Sequence, residues 1–143
     1  MYRLSDLMKM FNLPERTIRR HLSEGLLKGN KVGGTWRFDD FDIKNYLDNP
    51  RIRVSSEKNN LKEVMDYVNG LSRHTNRNMI LINRTNHKKN LIEKVTNYVN
   101  NIKTPFYLNV NAKGKNRIIT FIGEDEHIIN ILKLTRDENE KNI

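Results

Sequence analysis

The sequence predicts an α+β protein made of two small units. Apolar residues recur at helical spacing in two short segments before residue 25, and the pattern then changes to the alternation of a β-hairpin. A similar mixture of helical and alternating patterns returns after residue 60. A chain of 143 residues is long enough for one ordinary domain or for two very small ones.

Two short helices joined by a tight turn are predicted at the start. Ser5 is a good N-cap for a first helix that extends to Phe11, because the apolar residues of this segment share one helical face. Pro14 suits the start of a second helix, since its missing N–H donor is not needed there, and Gly25 ends that helix. About three residues separate the helices, which is the spacing of a helix-turn-helix.

A β-hairpin and a third helix are predicted next. The hairpin turns at Gly33-Gly34, and its returning strand is Trp36-Arg37-Phe38. Asp39 or Asp40 is expected to cap the third helix, which Asn49-Pro50 ends. Three apolar residues of this helix are expected to cover the first two helices: Phe41, Tyr46 and Leu47.

The first unit therefore spans residues 1–50, and the mostly polar residues 51–60 are predicted to be a linker. A second small mixed α/β unit is expected over residues 61–136, followed by a charged tail at residues 137–143. Its predicted elements are a helix at 60–71 capped by Asn60, a strand at 79–82, a helix at 86–102 capped by Asn86, a hairpin at 106–122 and a helix at 124–135.

Charge restricts the class of partner. The chain carries 26 Lys and Arg against 17 Asp and Glu, a formal net charge of +9, which favours nucleic acid or an anionic membrane surface. The charge is +4 over residues 1–58, +8 over residues 59–123 and −3 over residues 124–143. The apolar runs are far shorter than the ~20 residues of a membrane span, and no secretion signal or cysteine is present. We therefore expect a soluble cytoplasmic protein without disulfides or thiolate metal sites.

Five segments of the first unit follow one another in a specific order: Leu4-Ser5-Asp6-Leu7-Met8, residues 14–22, Glu24-Gly25-Leu26-Leu27, residues 31–38 and Asp42-Ile43. This order resembles the excisionase and MerR-like winged helix-turn-helix family. The resemblance covers the N-terminal third of the chain. It implies a DNA-binding module, as found in repressors, activators and recombination-directionality factors, and it implies no enzymatic activity and no cofactor.

The residues agree with that resemblance. With Ile18 and Leu22 turned inward, the outer side chains of the second helix face the major groove, where arginine pairs with guanine. Arg16, Arg20 and Thr17 are the predicted base readers, and the hairpin is expected to contact the backbone or minor groove. The alternative is an ordinary solvated face. The complete predicted DNA-binding set is Arg16, Thr17, Arg19, Arg20, His21, Lys28, Lys31, Gly33, Gly34, Thr35 and Arg37.

Ser55 is an alternative candidate, as a catalytic nucleophile. The segment Arg53-Val54-Ser55-Ser56, followed by Leu61, resembles the start of a serine recombinase, in which the serine attacks DNA from a strand end beside several arginines. The rest of that pattern is missing, because Asn59 or Asn60 stands where the family has Gln and no later arginine cluster follows. The four histidines also lack metal-ligand spacing, so no catalytic or metal site is predicted.

The second unit has two interpretations. The preferred interpretation is a dimerisation or effector-sensing module, because a small winged domain contacts few base pairs and dimers read paired half-sites. It is otherwise a second nucleic-acid surface, if these cations converge: Arg73, Arg77, Arg84, Lys88, Lys89, Lys113, Lys115 and Arg117. We therefore expect a sequence-specific double-stranded DNA-binding regulator that acts as a homodimer. The alternative function is an architectural accessory to recombination or plasmid partition.

Overall fold

The first half of the chain folds into three short helices and a small antiparallel sheet. The computed structural model describes residues 1–85 and 91–140. The strand order of the first sheet is β1-β3-β2, with both pairs antiparallel. The elements of this half are β1 (Tyr2–Arg3), α1 (Leu4–Phe11), α2 (Glu15–Ser23), β2 (Asn30–Val32), β3 (Thr35–Phe38) and α3 (Asp40–Asp48).

Local capping signals explain the ends of these helices. Gly25 has a φ of +76° just after α2, which glycine adopts without steric cost. Asp39 caps α3, as predicted, because its carboxylate accepts the backbone N–H of Asp42 at 2.8 Å. Ser5 is not the cap of α1. Arg3 occupies that position, and its backbone N–H donates to the carboxylate of Asp6 at 2.8 Å.

The hairpin turn has the geometry that its sequence predicts. Gly33 and Gly34 both have positive φ angles, +60° and +81°, and Val32 pairs directly with Thr35. Two positive φ angles in a two-residue loop define a type I′ turn, which matches the twist of the flanking strands. β1 was not predicted, because two residues carry no periodic signal. It lies against β3 and turns the hairpin into a three-stranded sheet.

One prediction for α3 is wrong. Phe41 is 69% exposed, whereas Ile43, which was not singled out, is buried together with Tyr46 and Leu47. Because α3 begins at Asp40, residues 43, 46 and 47 form one i, i+3, i+4 face and residue 41 lies on the opposite side. The face that packs on the core therefore decides which aromatic residue is buried: Tyr46 lies on it and Phe41 does not.

The second half forms another three-stranded antiparallel sheet, with the order β4-β6-β5. The protein is thus an α+β protein, as predicted. The longer helices pack on this sheet, and α6 contacts both β4 and β6. The elements of this half are α4 (Pro50–Val68), β4 (Asn78–Thr85), α5 (Leu91–Val99), β5 (Tyr107–Lys113), β6 (Asn116–Gly123) and α6 (Asp125–Glu140).

The predicted linker is the main correction. Residues 51–60 lie within α4, which begins at Pro50 directly after the cap residue Asn49. Asn60 is therefore not a helix cap. Its side chain accepts a hydrogen bond from Tyr107 Oη at 2.7 Å and donates to Thr120 Oγ1 at 3.1 Å. The polar composition of residues 51–60 reflects contacts with a polar sheet face and with solvent.

The two halves share one hydrophobic core. Leu7 and Met10 of α1 are fully buried in the same cluster as Leu108 and Val110 of β5. α1 packs on β5, and the side chain of Asn100, just after α5, donates to the carboxylate of Asp6 at 3.1 Å. The first unit is therefore fixed to the second by packing.

Smaller differences concern element lengths. β4 runs from Asn78 to Thr85 and is longer than the predicted strand at 79–82, while α6 continues to Glu140 into the predicted tail. The expected cap Asn86 lies outside the described residues. Within residues 1–85 and 91–140, no helix combines the length and apolarity required for a membrane span.

We predict that Gly29→Ala lowers the free energy of unfolding by about 1–3 kcal/mol. A Cβ at Gly29 would lie 2.6 Å from two ring carbons of Phe38 and 2.9 Å from the carbonyl oxygen of Arg37, and Phe38 is fully buried. Urea unfolding measures the effect. In a Phe38→Leu background the same substitution should cost less, because the ring atoms are gone; an equal cost in both backgrounds would contradict the clash.

Candidate nucleic-acid interface

α2 presents arginines on the side opposite to its buried face. Ile18 is fully buried and Leu22 is half-buried against the core. Arg16 and Arg20 are four residues apart, so they are neighbours on one helical face, and both are exposed. This face is about 100° or more away from the buried one, as the helical repeat requires.

The arginines of α2 differ in their partners. Arg19 pairs with Glu15 at 2.9 Å, and Arg20 lies 3.7 Å from Glu24. Arg16 forms no ion pair or hydrogen bond with any residue that the structure describes. Exposed pairs of this kind stabilise a helix by only a few tenths of a kcal/mol, so Arg19 and Arg20 exchange these partners readily for a phosphate or a base.

A cationic depression lies between the start of α1, α2 and the hairpin. Its volume is about 270 Å³. Four cationic side chains line it, together with Ser5 and the hairpin residues Gly34 and Thr35, and no acidic residue of the described chain is among the lining residues. The four cations are Arg3, Arg19, Lys31 and Arg37.

Arg3 is the residue that sequence reasoning missed. It enters the depression because β1 pairs with β3 and sets Arg3 directly opposite Arg37. The carboxylate of Asp6 lies 3.7 Å from the guanidinium of Arg3, which remains 59% exposed. The pairing of two residues with a distant strand has no periodic signature, so the sequence held no signal for this neighbour.

The other predicted hairpin residues occupy different positions. Trp36 is half-buried, packs against the core, stacks on Phe38 with 6.3 Å between ring centroids and also lines the depression. Lys31 Nζ lies 5.3 Å from the Trp36 ring centroid, a cation–π distance. Lys28 and Gly33 are exposed and do not line the depression.

Thr17 and His21 lie on the flank of α2 that faces α4, away from the depression. Together with Arg20 they line a cavity of about 80 Å³ between α2 and α4. His21 Nδ1 lies 2.6 Å from Tyr46 Oη, and burial lowers the pKa of His21 below its ordinary value, with Arg20 lowering it further. The structure therefore places Arg19 and most of the predicted hairpin residues at the depression, Thr17 and His21 beside α4, and Arg16 on the exposed face. The exposed Arg20 borders both that face and the cavity beside α4.

The burial of His21, which lowers its pKa, predicts a pH effect on stability. Because its pKa is lowered in the folded protein, the unfolded chain binds the proton more readily, and acidification through the ordinary value of 6.5 favours unfolding. Burial lowers the pKa of His74 in the same direction. The free energy of unfolding, measured in urea, should fall between about pH 7.5 and 5.5. His21→Gln combined with His74→Gln should flatten this slope; an unchanged slope would contradict the assignment.

Ser55 lies on a helix. It belongs to the second turn of α4 and lines the cavity beside Thr17 and Arg20, so the strand-end position that a recombinase serine requires is not found. Among the described residues, no group of three or more histidine or acidic side chains is arranged to hold a metal ion.

The cations predicted for a second nucleic-acid surface form two separate groups in the part of the chain that the structure describes: Arg73 and Arg77 before β4, and Arg84, Lys113, Lys115 and Arg117 at the other end of the sheet, where Arg84 pairs with Arg117. Arg73 and Arg77 precede β4, whereas Arg84 lies near its far end, about 20 Å away by strand rise. Arg117 is buried and donates to backbone carbonyl oxygens, and burial lowers its pKa. Lys113 and Lys115 are exposed near the tip of the β5–β6 hairpin; Lys88 and Lys89 lie outside the described residues.

Comparisons with known proteins identify no relative. No protein-family model, curated protein or solved structure matches the chain. The winged helix-turn-helix family therefore remains a resemblance in sequence motifs.

Proposed function

We propose that the protein is a sequence-specific double-stranded DNA-binding regulator that acts as a dimer. α2 enters the major groove, and the β2–β3 hairpin lies on the backbone or in the adjacent minor groove. The observation that carries the proposal is the position of the exposed Arg16 and Arg20 face beside a depression lined by four cations. This arrangement is the one in which a single helix reads bases while its flank holds phosphate.

Base reading is assigned to Arg16 and Arg20. The major groove, about 12 Å wide, admits an α-helix, and the arginine fork donates two hydrogen bonds to guanine O6 and N7. Their i, i+4 spacing sets the two side chains about 6 Å apart, so they reach neighbouring base pairs. Thr17 and Arg20 both border the cavity beside α4, but Arg20 is exposed, whereas Thr17 is half-buried and is assigned a supporting role at most.

Phosphate binding is assigned to the cationic depression. Arg19 faces it from α2, Arg3 faces it from β1, and Lys31 and Arg37 face it from the hairpin. The positive φ angles at Gly33 and Gly34 keep the hairpin tip narrow, which lets its backbone approach DNA closely. Each phosphate contact releases a counterion. Four contacts therefore make the slope of log affinity against log salt concentration more negative by about 3 to 4.

A selection experiment tests the proposal. The purified chain is incubated with a random pool of duplex DNA at near-physiological salt, and bound duplexes are amplified over several rounds. We expect a defined motif that the protein binds about a thousandfold or more tightly than a scrambled duplex. Equal affinity for both duplexes would contradict sequence-specific reading. A repressed reporter with one such motif supports regulation, whereas bending or coating of repeated motifs without repression supports the accessory role instead.

Arg3→Ala is predicted to weaken binding to all duplexes alike. Loss of one phosphate contact should make the slope of log affinity against log salt concentration shallower by about 1, without changing the selected motif. Lys44→Ala is the matched control, because Lys44 is an exposed cation of α3 that does not line the depression. Fluorescence anisotropy over a salt series measures both. A changed motif, or an equal effect of the two substitutions, would contradict the assignment of Arg3.

A further inference from the structure

One face of α4 carries an exposed apolar stripe, interrupted by Lys58, that nothing in the described chain covers. Val54, Leu61, Met65 and Val68 are 61%, 62%, 47% and 64% exposed. Together with Lys58 they follow one another at intervals of four, three, four and three residues, which is the spacing of a coiled-coil seam. The stripe is about 21 Å long at the rise of an α-helix.

Contacts on the opposite face of α4 orient this stripe towards solvent. The opposite face of α4 is held on the second sheet by Asn60, which bonds Tyr107 and Thr120, and by Tyr67, whose hydroxyl donates to the carbonyl oxygen of Arg77 at 2.7 Å. Leu81 pairs with Thr120 across β4 and β6, so it points to the same sheet face as α4, and it is 57% exposed. An exposed apolar stripe of this kind marks an interaction site.

We propose that α4 forms a parallel coiled coil with α4 of a second copy of this chain. In heptad terms Val54, Leu61 and Val68 occupy the d positions, and Lys58 and Met65 occupy the a positions. A lysine at one a position is a known device for fixing register. The partner is a second copy because the same seam serves both sides of a two-fold axis.

Charge complementarity selects the parallel orientation. Glu57 occupies a g position, and Lys62, five residues later, occupies an e position. Parallel helices bring Glu57 next to Lys62 of the second copy, twice by symmetry. Antiparallel helices centred on Leu61 would instead bring Lys62 next to Lys62 of the second copy. Lys62 already pairs with Asp66 at 2.9 Å and remains largely exposed, so it is available at the edge of the seam.

The dimer has a consequence for DNA reading that rests on the proposed function. Arg51 in the first turn of α4 lies 3.6 Å from Glu24 at the end of α2, so α2 is located at the N-terminal end of α4. A parallel pair therefore presents both α2 helices at the same end of the dimer. We expect an inverted-repeat operator with half-sites about one helical turn, or a multiple of it, apart.

The mass of the protein in solution tests the association. Light scattering after size exclusion should give about twice the 17.0 kDa chain mass for the wild type. Leu61→Glu should give the chain mass alone, because it places two like charges in the seam. Ile129→Glu is the matched control: Ile129 is 52% exposed on α6, and the variant should stay dimeric. A monomeric wild type, or a monomer produced only by Ile129→Glu, would overturn the proposal.

Disulfide cross-linking tests the orientation and does not depend on Leu61→Glu folding. The chain contains no cysteine, so each introduced thiol is the only one present. Val54→Cys alone and Val68→Cys alone should each give a covalent dimer after mild oxidation. Cross-links that form only when the two variants are mixed would show antiparallel helices and overturn the parallel pair.

The proposal of DNA reading and the proposal of the α4 dimer can be contradicted independently. A dimeric wild type that binds the selected and scrambled duplexes equally would overturn DNA reading and leave the α4 dimer intact. A monomeric wild type that still selects a motif would overturn the dimer and leave DNA reading intact. Leu61→Glu should keep its affinity for a single half-site while losing about tenfold or more on the full operator.

Discussion

Arg16→Ala combined with Arg20→Ala is expected to lower the affinity for the selected DNA site by about 10² to 10⁴. Each arginine is assigned a bidentate contact with guanine, and loss of one such contact costs about 1–3 kcal/mol. Both side chains lie on the solvent face of α2, away from the buried Ile18, so the fold should tolerate the change. Fluorescence anisotropy at one fixed salt concentration measures the loss.

The matched control for this prediction is Lys44→Ala combined with Arg73→Ala. It removes the same formal charge from exposed positions outside α2 and the depression. If the loss came only from net charge, both double variants would weaken binding equally and at every sequence. We expect the control to stay within about threefold of the wild type. An equal loss in the two double variants would show that α2 does not read bases.

Asn60→Ala is the second large expected effect, and it acts on stability. Its side chain accepts from Tyr107 and donates to Thr120, which are 6% and 0% exposed. Burial raises the pKa of Tyr107 well above its usual value, so the phenol stays protonated and needs an acceptor. Truncation removes a partner from two buried hydroxyl groups, at about 1–3 kcal/mol each. We expect the free energy of unfolding in urea to fall by about 2–4 kcal/mol.

Asn59→Ala provides the control for Asn60→Ala. Asn59 is the neighbouring residue of the same helix and is exposed, so truncation there should change stability by less than about 0.5 kcal/mol. The contrast measures how firmly α4 is held on the second sheet. If residues 51–60 behaved as the linker that their composition predicted, the two substitutions would have the same small effect.

Much of the first half could be predicted because its helix ends and its hairpin turn depend on interactions between residues that are close in sequence. Asp39 caps α3, Gly25 ends α2, and the Gly33-Gly34 pair forms the turn, and each of these acts through neighbours a few residues away. β1 depends on pairing with a strand more than thirty residues later, so no local pattern predicts it. The prediction for Phe41 was wrong because this residue lies opposite the face shared by Ile43, Tyr46 and Leu47, and that face packs on the core.

α4 was misread for a different physical reason. The sheet face beneath it is polar, with Tyr107, Asn109 and Thr120 buried there, so the contacting residues of α4 include Ser56 and Asn60. A helix that buries polar side chains and leaves its apolar stripe exposed inverts the usual hydrophobic pattern. The predicted helix at 60–71 contains Leu61, Met65 and Val68 of the stripe, but the predicted linker at 51–60 separates them from Val54, which lies on the same helix.

The candidate site was likewise predictable only in part. The sequence predicted the α2 arginines and the hairpin cations, because both follow from the motif order and helical spacing. Whether a side chain faces DNA or another helix depends on tertiary packing: His21 contacts Tyr46, and Thr17 lines the cavity against α4. Arg3 joined the set only through β1.

Methylation interference on the selected duplex tests the central claim most directly. Dimethyl sulfate methylates guanine N7 in the major groove, which is an acceptor that Arg16 and Arg20 are assigned to use. We expect methylation at one or two guanines of each half-site to block the wild type, and the corresponding guanine to lose its effect in Arg16→Ala or in Arg20→Ala. Guanine methylation that leaves wild-type binding unchanged, or an interference pattern that is identical in both variants, would contradict major-groove reading by α2.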